Sequence, residues 1–296
     1  MKYLFFITFF YAVILTSACK QSSSTTASPV SDLAHIDVIL DSVTWFAIKN
    51  DSFIQKEFGV MNIDTAHYGG KASYDIYVLG QLNFLHLSLA KDFWKNQQGG
   101  GVMTFQTWKP DMKDSLISSL QHFYTDSVYV HNYKGADFTL NEVMPPHKKD
   151  SSKVVEATIF PNLSTYSAEA YKNWGITDSI VNAGLSFQQF MADWGGEDLK
   201  NKLFHSISEL HINANQKELN DLKSALLATG YSENSNNVFT HSSNPSVYIT
   251  PGEEKDKPKY SKVKFRLTHS VAEKEIVFSP SATLKLSGNE AWFLFR

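Results

Sequence analysis

The sequence predicts an α+β protein built from repeated strand-helix-strand-strand-strand (βαβββ) units, forming mixed sheets with one helical segment inserted. Three observations predict it. A run with strand-like alternation is followed by an amphipathic helical run and then by further strands, and this order recurs three times along the 296 residues. Turn-forming residues separate the strands. From Ser164 to Phe204 the pattern breaks, and Phe187, Phe190 and Trp194 fall at helical spacing.

The first unit covers about 35–90. His35 to Asp41 alternates, with Ile36, Val38 and Leu40 on one face and His35, Asp37 and Ile39 on the other. Ser52 with Gln55 three places on signals a helix, which Gly59 stops. Strands fit Ser73 to Leu79 and Leu82 to Leu89, around a turn at Gly80-Gln81. The second unit, about 100–163, opens on Gly99-Gly100-Gly101 with a strand from Val102 to Trp108. Pro110 and Asp111 start a helix, and strands fit Tyr129 to Tyr133 and Val154 to Phe160 around a loop from Met144 to Asp150. The third unit, about 205–296, starts with Ile207 to Asn213. Asn215 with Glu218 caps a helix that carries Leu219, Leu222 and Leu226 and closes at Gly230. Strands fit Val247 to Thr250, Lys262 to Thr268, Ala282 to Leu286 and Ala291 to Phe295, with a charged hairpin loop from Gly252 to Lys259. The inserted segment, about 164–204, reads either as rings that pack helices onto the sheets or as an aromatic lid over a cavity.

The N-terminal residues have the layout of a signal peptide. Lys2 precedes an apolar run from Tyr3 to Leu15 that is too short for the roughly 20 residues needed to span a bilayer. Thr16-Ser17-Ala18-Cys19 follows, and it resembles a lipobox, the signal of bacterial lipoproteins. The resemblance implies cleavage after residue 18 and acylation of Cys19, the sole cysteine. Residues 19–34 are then expected to form the lipidated N-terminus and a flexible tether, and 35–296 the folded domain. Lys20 stands where an aspartate retains many lipoproteins in the inner membrane, so the expected place is the cell envelope, lipid-anchored at the outer membrane. The expected partner is thus the membrane, through lipid on Cys19.

Composition bounds the function further. The 27 basic and 30 acidic residues are intermixed without a basic block, which argues against a nucleic-acid partner. Aromatic residues make up 14%, which suits a strand-rich core and an aromatic-lined pocket. Gly99-Gly100-Gly101 is a turn and not a phosphate loop, because no lysine followed by serine or threonine opens a helix after it. The chain has no serine elbow and no HExxH zinc motif.

Strand alternation collects the polar candidates. His35 and Asp37 share one strand face, and Glu209 and His211 share another. An imidazole beside a carboxylate is a metal ligand with its support, a tuned acid-base pair, or simply a hydrogen-bonded surface pair. His86 points away from Leu85 and Leu87, on the side of Phe84 and Ser88. Lys264 and Arg266 share a strand face and suit a carboxylate or phosphate on a ligand, or a solvated sheet surface. Asp37, Phe84, Glu209, His211 and Arg266 are therefore candidate ligand-binding residues. The sequence designates no catalytic residue.

The opening His35-Ile36-Asp37-Val38-Ile39-Leu40-Asp41, the helix end Glu57-Phe58-Gly59 and the strand Asn83-Phe84-Leu85-His86-Leu87 together resemble the glyoxalase-like (vicinal oxygen chelate) superfamily, in particular a little-characterised group of bacterial glyoxalase-like lipoproteins. The resemblance implies paired βαβββ units whose sheets curl around a shared cavity. It also implies a divalent metal ion, held from the first and last strands of each unit. Carried over to this chain, the metal candidates are His35, His86 (where the family usually has glutamate) and Glu156. Gly101 to Thr104 supply no ligand on the first strand of the second unit. The expected function is binding of a small organic ligand in the cavity. Two alternatives stand beside it: a divalent-metal-dependent enzyme of isomerase, lyase or dioxygenase type, and an envelope scaffold.

Overall fold

A computed structural model describes residues 30–145, 158–252 and 257–296. Cys19, the leader, most of the tether and Glu156 lie outside the described residues.

The first unit runs β1 (Ser31–Leu40), α1 (Ser42–Asn50), a short π-helical turn (Ile54–Phe58), β2 (Val60–Tyr68), β3 (Lys71–Leu79) and β4 (Phe84–Leu89). The second runs β5 (Gly101–Thr107), α2 (Lys113–Phe123), β6 (Tyr129–Lys134), β7 (Thr139–Met144) and β8 (Ile159–Tyr166). Together they form one eight-stranded sheet in the order β2-β3-β4-β1-β5-β8-β7-β6. In each unit the first strand pairs parallel to the last, β1 with β4 and β5 with β8. The units then meet through the antiparallel pair β1 and β5, so the sheet has two like halves joined at its centre. Two βαβββ units sharing one mixed sheet are the architecture expected from the sequence.

The insertion contributes α3 (Ala168–Asn173), α4 (Asp178–Ala183) and α5 (Phe187–Gly195), the last opened by a capping box of Ser186 and Gln189. The third unit follows with β9 (Phe204–Ala214), α6 (Gln216–Ala228), β10 (Ser232–Ser235), β11 (Val238–Thr240) and β12 (Ser246–Pro251), and β9 again pairs parallel to the last strand of its unit. A long hairpin, β13 (Tyr260–Ser279) and β14 (Ala282–Phe295), completes a second sheet in the order β10-β11-β12-β9-β13-β14. It lies beside β9 as the second unit lies beside β1.

Alternation sets which face is buried. Ile36, Val38 and Leu40 of β1 join Trp45 and Ile48 of α1 and, from the second sheet, Leu210, Ile212, Val263 and Phe265 in one core. Leu116 and Leu120 of α2 pack with Ala225 and Ala228 of α6 and with Val143 and Leu163 of the first sheet. Helices α1, α2 and α6 therefore lie between the two sheets, and each sheet turns its polar face away from this core. Tyr260 ties the layers together: it is fully buried, and its hydroxyl donates to the Val102 carbonyl at 2.8 Å. Gly101 lets it approach, because a Cβ there would meet both the Asp37 carbonyl oxygen and the Tyr260 ring at 2.5 Å.

Several expected boundaries are corrected. β1 begins at Ser31, inside the expected tether of 19–34, because Leu33 and Ala34 are buried and Ser31 to Leu33 pair with β5. The helix expected from Ser52 is two elements. Asp41 caps α1 through the Thr44 amide at 2.9 Å, and Asp51, not Ser52, accepts the Phe53 and Ile54 amides that open the π-helical turn. Val43, Thr44, Trp45 and Phe46 are weak helix formers, so α1 rests on the burial of Trp45 and Ile48 more than on propensity. β2, β7, β10 and β11 were not expected, and the two runs 282–286 and 291–295 are parts of the single strand β14. Of the expected strand from Val154 to Phe160, residues 154–157 lie outside the described residues, and Ile159 and Phe160 begin β8.

Candidate metal and ligand site

The polar face of the eight-stranded sheet gathers its candidates at the junction of the two units. Registers place Asp37 beside His86 across β1 and β4, and His35 opposite Thr104 across β1 and β5. Thr104 in turn lies beside Asn162 of β8. Neighbours in register point to the same side of a sheet, so one row of polar side chains crosses the boundary between units.

His35, Asp37 and His86 converge, with one donor atom from each lying within 4.8 Å of the others. Asp37 is the hinge of the group: one of its oxygens meets His86 Nδ1, and the other lies 3.3 Å from His35 Nε2. On its far side His86 Nε2 donates to Asp75 Oδ1 at 3.1 Å. Asp75 is itself fixed, since the same oxygen accepts from Ser73 at 2.9 Å and Ser88 at 2.7 Å, and Trp94 Nε1 donates to Ser73. Both nitrogens of His86 thus face carboxylates. Burial alone would strip its proton, but the charge of Asp37 and the bonds to Asp37 and Asp75 outweigh burial and push its pKa up to about 10. For Asp37, burial favours the neutral acid, yet His86 and His35 hold the carboxyl well below the usual carboxylate range.

Two imidazoles and a carboxylate form a donor set suited to a divalent transition metal. The surroundings fit one as well. A histidine ligand ordinarily donates its other ring N–H to a carboxylate or carbonyl, which fixes its orientation, and Asp75 stands in that relation to His86. Buried polar atoms nearby also have no hydrogen-bond partner among the described residues: His35 Nδ1, Asp75 Oδ2, Thr104 Oγ1 and Asn162 Oδ1. Such atoms are costly unless water, an ion or a ligand satisfies them.

Apolar walls flank the group. Phe84 stacks on His35 at 4.4 Å, and Tyr77 stacks on His86 at 4.5 Å. From the insertion, Trp194 stands edge-on to Phe84 at 5.2 Å, and Phe187 stacks on it at 6.2 Å. α5 thus packs its rings on the polar side of the sheet, as the packing reading of the aromatic segment expects. On the other side Glu142 of β7 accepts from Asn162 Nδ2 at 2.6 Å. Burial raises its carboxyl above the usual range, against the opposing effect of the Asn162 amide.

The remaining candidates lie elsewhere. Glu209 and His211 are 3.3 Å apart, but they stand on the second sheet with Lys264 and Arg266. Asp75, Thr104, Glu142 and Asn162 escaped the sequence reading. Asp75 was within reach of it, since Ser73, Asp75 and Tyr77 alternate on the strand that neighbours His86.

No family model matches the sequence, and no curated protein matches it. Similar solved structures include a methylmalonyl-CoA epimerase in complex with methylmalonyl-CoA and NH4+, at 14% identity over 47% of this chain and 96% of that one, with a TM-score of 0.27. A substituted methylmalonyl-CoA epimerase from Streptomyces coelicolor gives 14%, 48% and 96%, with a TM-score of 0.27. A triply substituted 4-hydroxymandelate synthase from the same organism gives 11%, 49% and 51%, with a TM-score of 0.28.

Proposed function

We propose that this chain is a membrane-anchored protein of the cell envelope whose glyoxalase-like half-barrel binds a small, oxygen-bearing organic ligand at a divalent metal held by His35, Asp37 and His86. The observation that carries the metal reading is the Asp75 bond to His86 Nε2, which turns Nδ1 toward Asp37, where a divalent ion would take the place of the proton that Nδ1 holds. A divalent ion bound there supplies positive charge that polarises a ligand oxygen. The chain's own residues supply the rest. Phe84 and Tyr77 wall the ligand, Trp194 and Phe187 exclude water from one end, and Thr104 and Asn162 offer unpaired polar atoms to its oxygens. Glu142, with its raised pKa, is suited to hold or accept a proton beside them.

The site test is metal analysis of purified protein beginning at residue 19, together with its His35→Ala and His86→Ala variants. About one equivalent of divalent metal, lost in both variants, is expected. Metal content that is negligible, or unchanged by the substitutions, would remove the reading. What supports the anchor is the order of Lys2, a short apolar run, small residues and the lone Cys19. Mass spectrometry of native protein should find an acylated N-terminal Cys19, and Cys19→Ser should move the chain to the soluble fraction. An intact leader without fatty acid would contradict it.

A further inference from the structure

The second sheet repeats the architecture of the first and carries a different chemistry on the corresponding face. Glu209 and His211 lie on β9, beside Ser246 and Tyr248 of the parallel strand β12, as His35 and Asp37 lie beside Phe84 and His86. Where the first sheet continues into Thr104 and Asn162, the second continues into β13, whose Lys262, Lys264 and Arg266 follow one another at strand spacing. β14 then contributes Glu290 opposite Arg266 and Trp292 opposite Lys264.

The charges on this face are unevenly matched. Lys264 is held in place, 3.1 Å from Glu209 and 2.8 Å from Glu290, with its ammonium 6.0 Å from the Trp292 ring centre. Glu209 also accepts from His211 at 3.3 Å, and His211 stacks on Tyr248 at 4.6 Å. Both acids are thereby engaged. Arg266 is exposed and forms no ion pair among the described residues. It borders a cleft of about 460 Å³ shared with Lys264, Glu209 and Glu290. Its lining is polar apart from Leu267, and the Trp292 ring stands beyond Lys264, beside the cleft and not in its wall. A planar guanidinium at such a rim, with an aromatic ring two residues along the neighbouring strand, matches a carboxylate joined to a flat apolar body.

We propose that the polar face of the six-stranded sheet is a second, metal-independent binding site for a small organic carboxylate with a planar ring, its carboxylate held by Arg266 and its ring placed against Trp292. The site stands apart from the His35, Asp37 and His86 group, and the inference does not rest on the metal reading.

The test is benzoate titrated into the mature protein, followed by nuclear magnetic resonance with the Trp292 indole N–H assigned through Trp292→Phe. Saturable shifts of that resonance are expected. Arg266→Gln should weaken binding about tenfold or more, because a charge-assisted bidentate contact is lost, and neutral benzamide should not compete. The protein carrying both His35→Ala and His86→Ala should bind benzoate unchanged, which separates failure of this site from failure of the first. No saturable binding, equal affinity in Arg266→Gln, or shifts confined to the first sheet would each overturn the proposal.

Discussion

Replacing Asp75 by asparagine leaves the shape of the site almost intact and removes one charge, which makes it the sharpest single perturbation of the metal reading. Asp75 is 1% exposed, and its Oδ1 takes the His86 Nε2 bond together with those of Ser73 and Ser88. An asparagine oxygen can still accept these bonds, but without the negative charge it no longer pushes electron density into the imidazole and raises the basicity of Nδ1. Loss of such a supporting carboxylate typically costs about 10- to 100-fold in metal affinity, or about 1.4 to 2.7 kcal/mol. Titration calorimetry of metal-free wild type and Asp75→Asn with Zn²⁺ or Mn²⁺ reads this difference directly. Affinity within twofold of wild type, in a variant that melts as a folded protein, would refute the reasoning, since His86 would then not be held for a metal by Asp75.

Other expectations concern what holds the site in place. Glu218 joins three elements: Oε1 accepts from the Ile159 amide at 3.1 Å, and Oε2 takes the Asn215 amide and Lys259 Nζ, both at 2.8 Å. Glu218→Ala should cost about 3 kcal/mol in denaturant unfolding, because it leaves a largely buried lysine unpaired; a change near zero would count against that coupling. Gly101→Ala should cost about 1 to 3 kcal/mol and weaken metal binding together with stability, because the new Cβ would meet the Asp37 carbonyl oxygen at 2.5 Å; unchanged affinity would separate backbone position from the site. Asp41→Asn removes a charged N-cap whose carboxyl burial pushes up, but which Thr44 and Ser281 hold below its ordinary value of 3.8. A depressed folded-state pKa stabilises above the unfolded value and loses that contribution as pH falls through the lowered one. The stability gap between wild type and Asp41→Asn should therefore be full at neutral pH and shrink below about pH 4, as chemical unfolding across that range would show.

Much of this architecture was legible where polar and apolar residues follow a clear pattern. Ile36, Val38 and Leu40 against His35, Asp37 and Ile39 revealed β1, though not its start at Ser31, and Asn215 with Glu218 fixed the start of α6. Elements that lean on tertiary contacts were not legible. α1 has weak helix formers and is held by Trp45 and Ile48 in the core, while β2 and β10 are edge strands that face solvent along much of their length. The site divided in the same way. Alternation put His35, Asp37 and His86 on the correct faces, but that Asp75 supports His86 follows from strand pairing, and that Thr104 and Asn162 continue the row follows from the contact between units. Neither relation is written in local sequence. The same limit kept Glu209, His211 and Arg266 from being separated from His35, because only the fold shows that they occupy a different sheet.

The most direct test of the account is a crystal of the mature protein grown with Mn²⁺ and measured for anomalous scattering. One strong peak bounded by His35, Asp37 and His86, with Asp75 still bonded to the far nitrogen of His86, is the predicted result. Diffraction that shows His86 clamped between Asp37 and Asp75 with no scatterer beside it, at saturating Mn²⁺, would contradict the claim that this group is a metal centre.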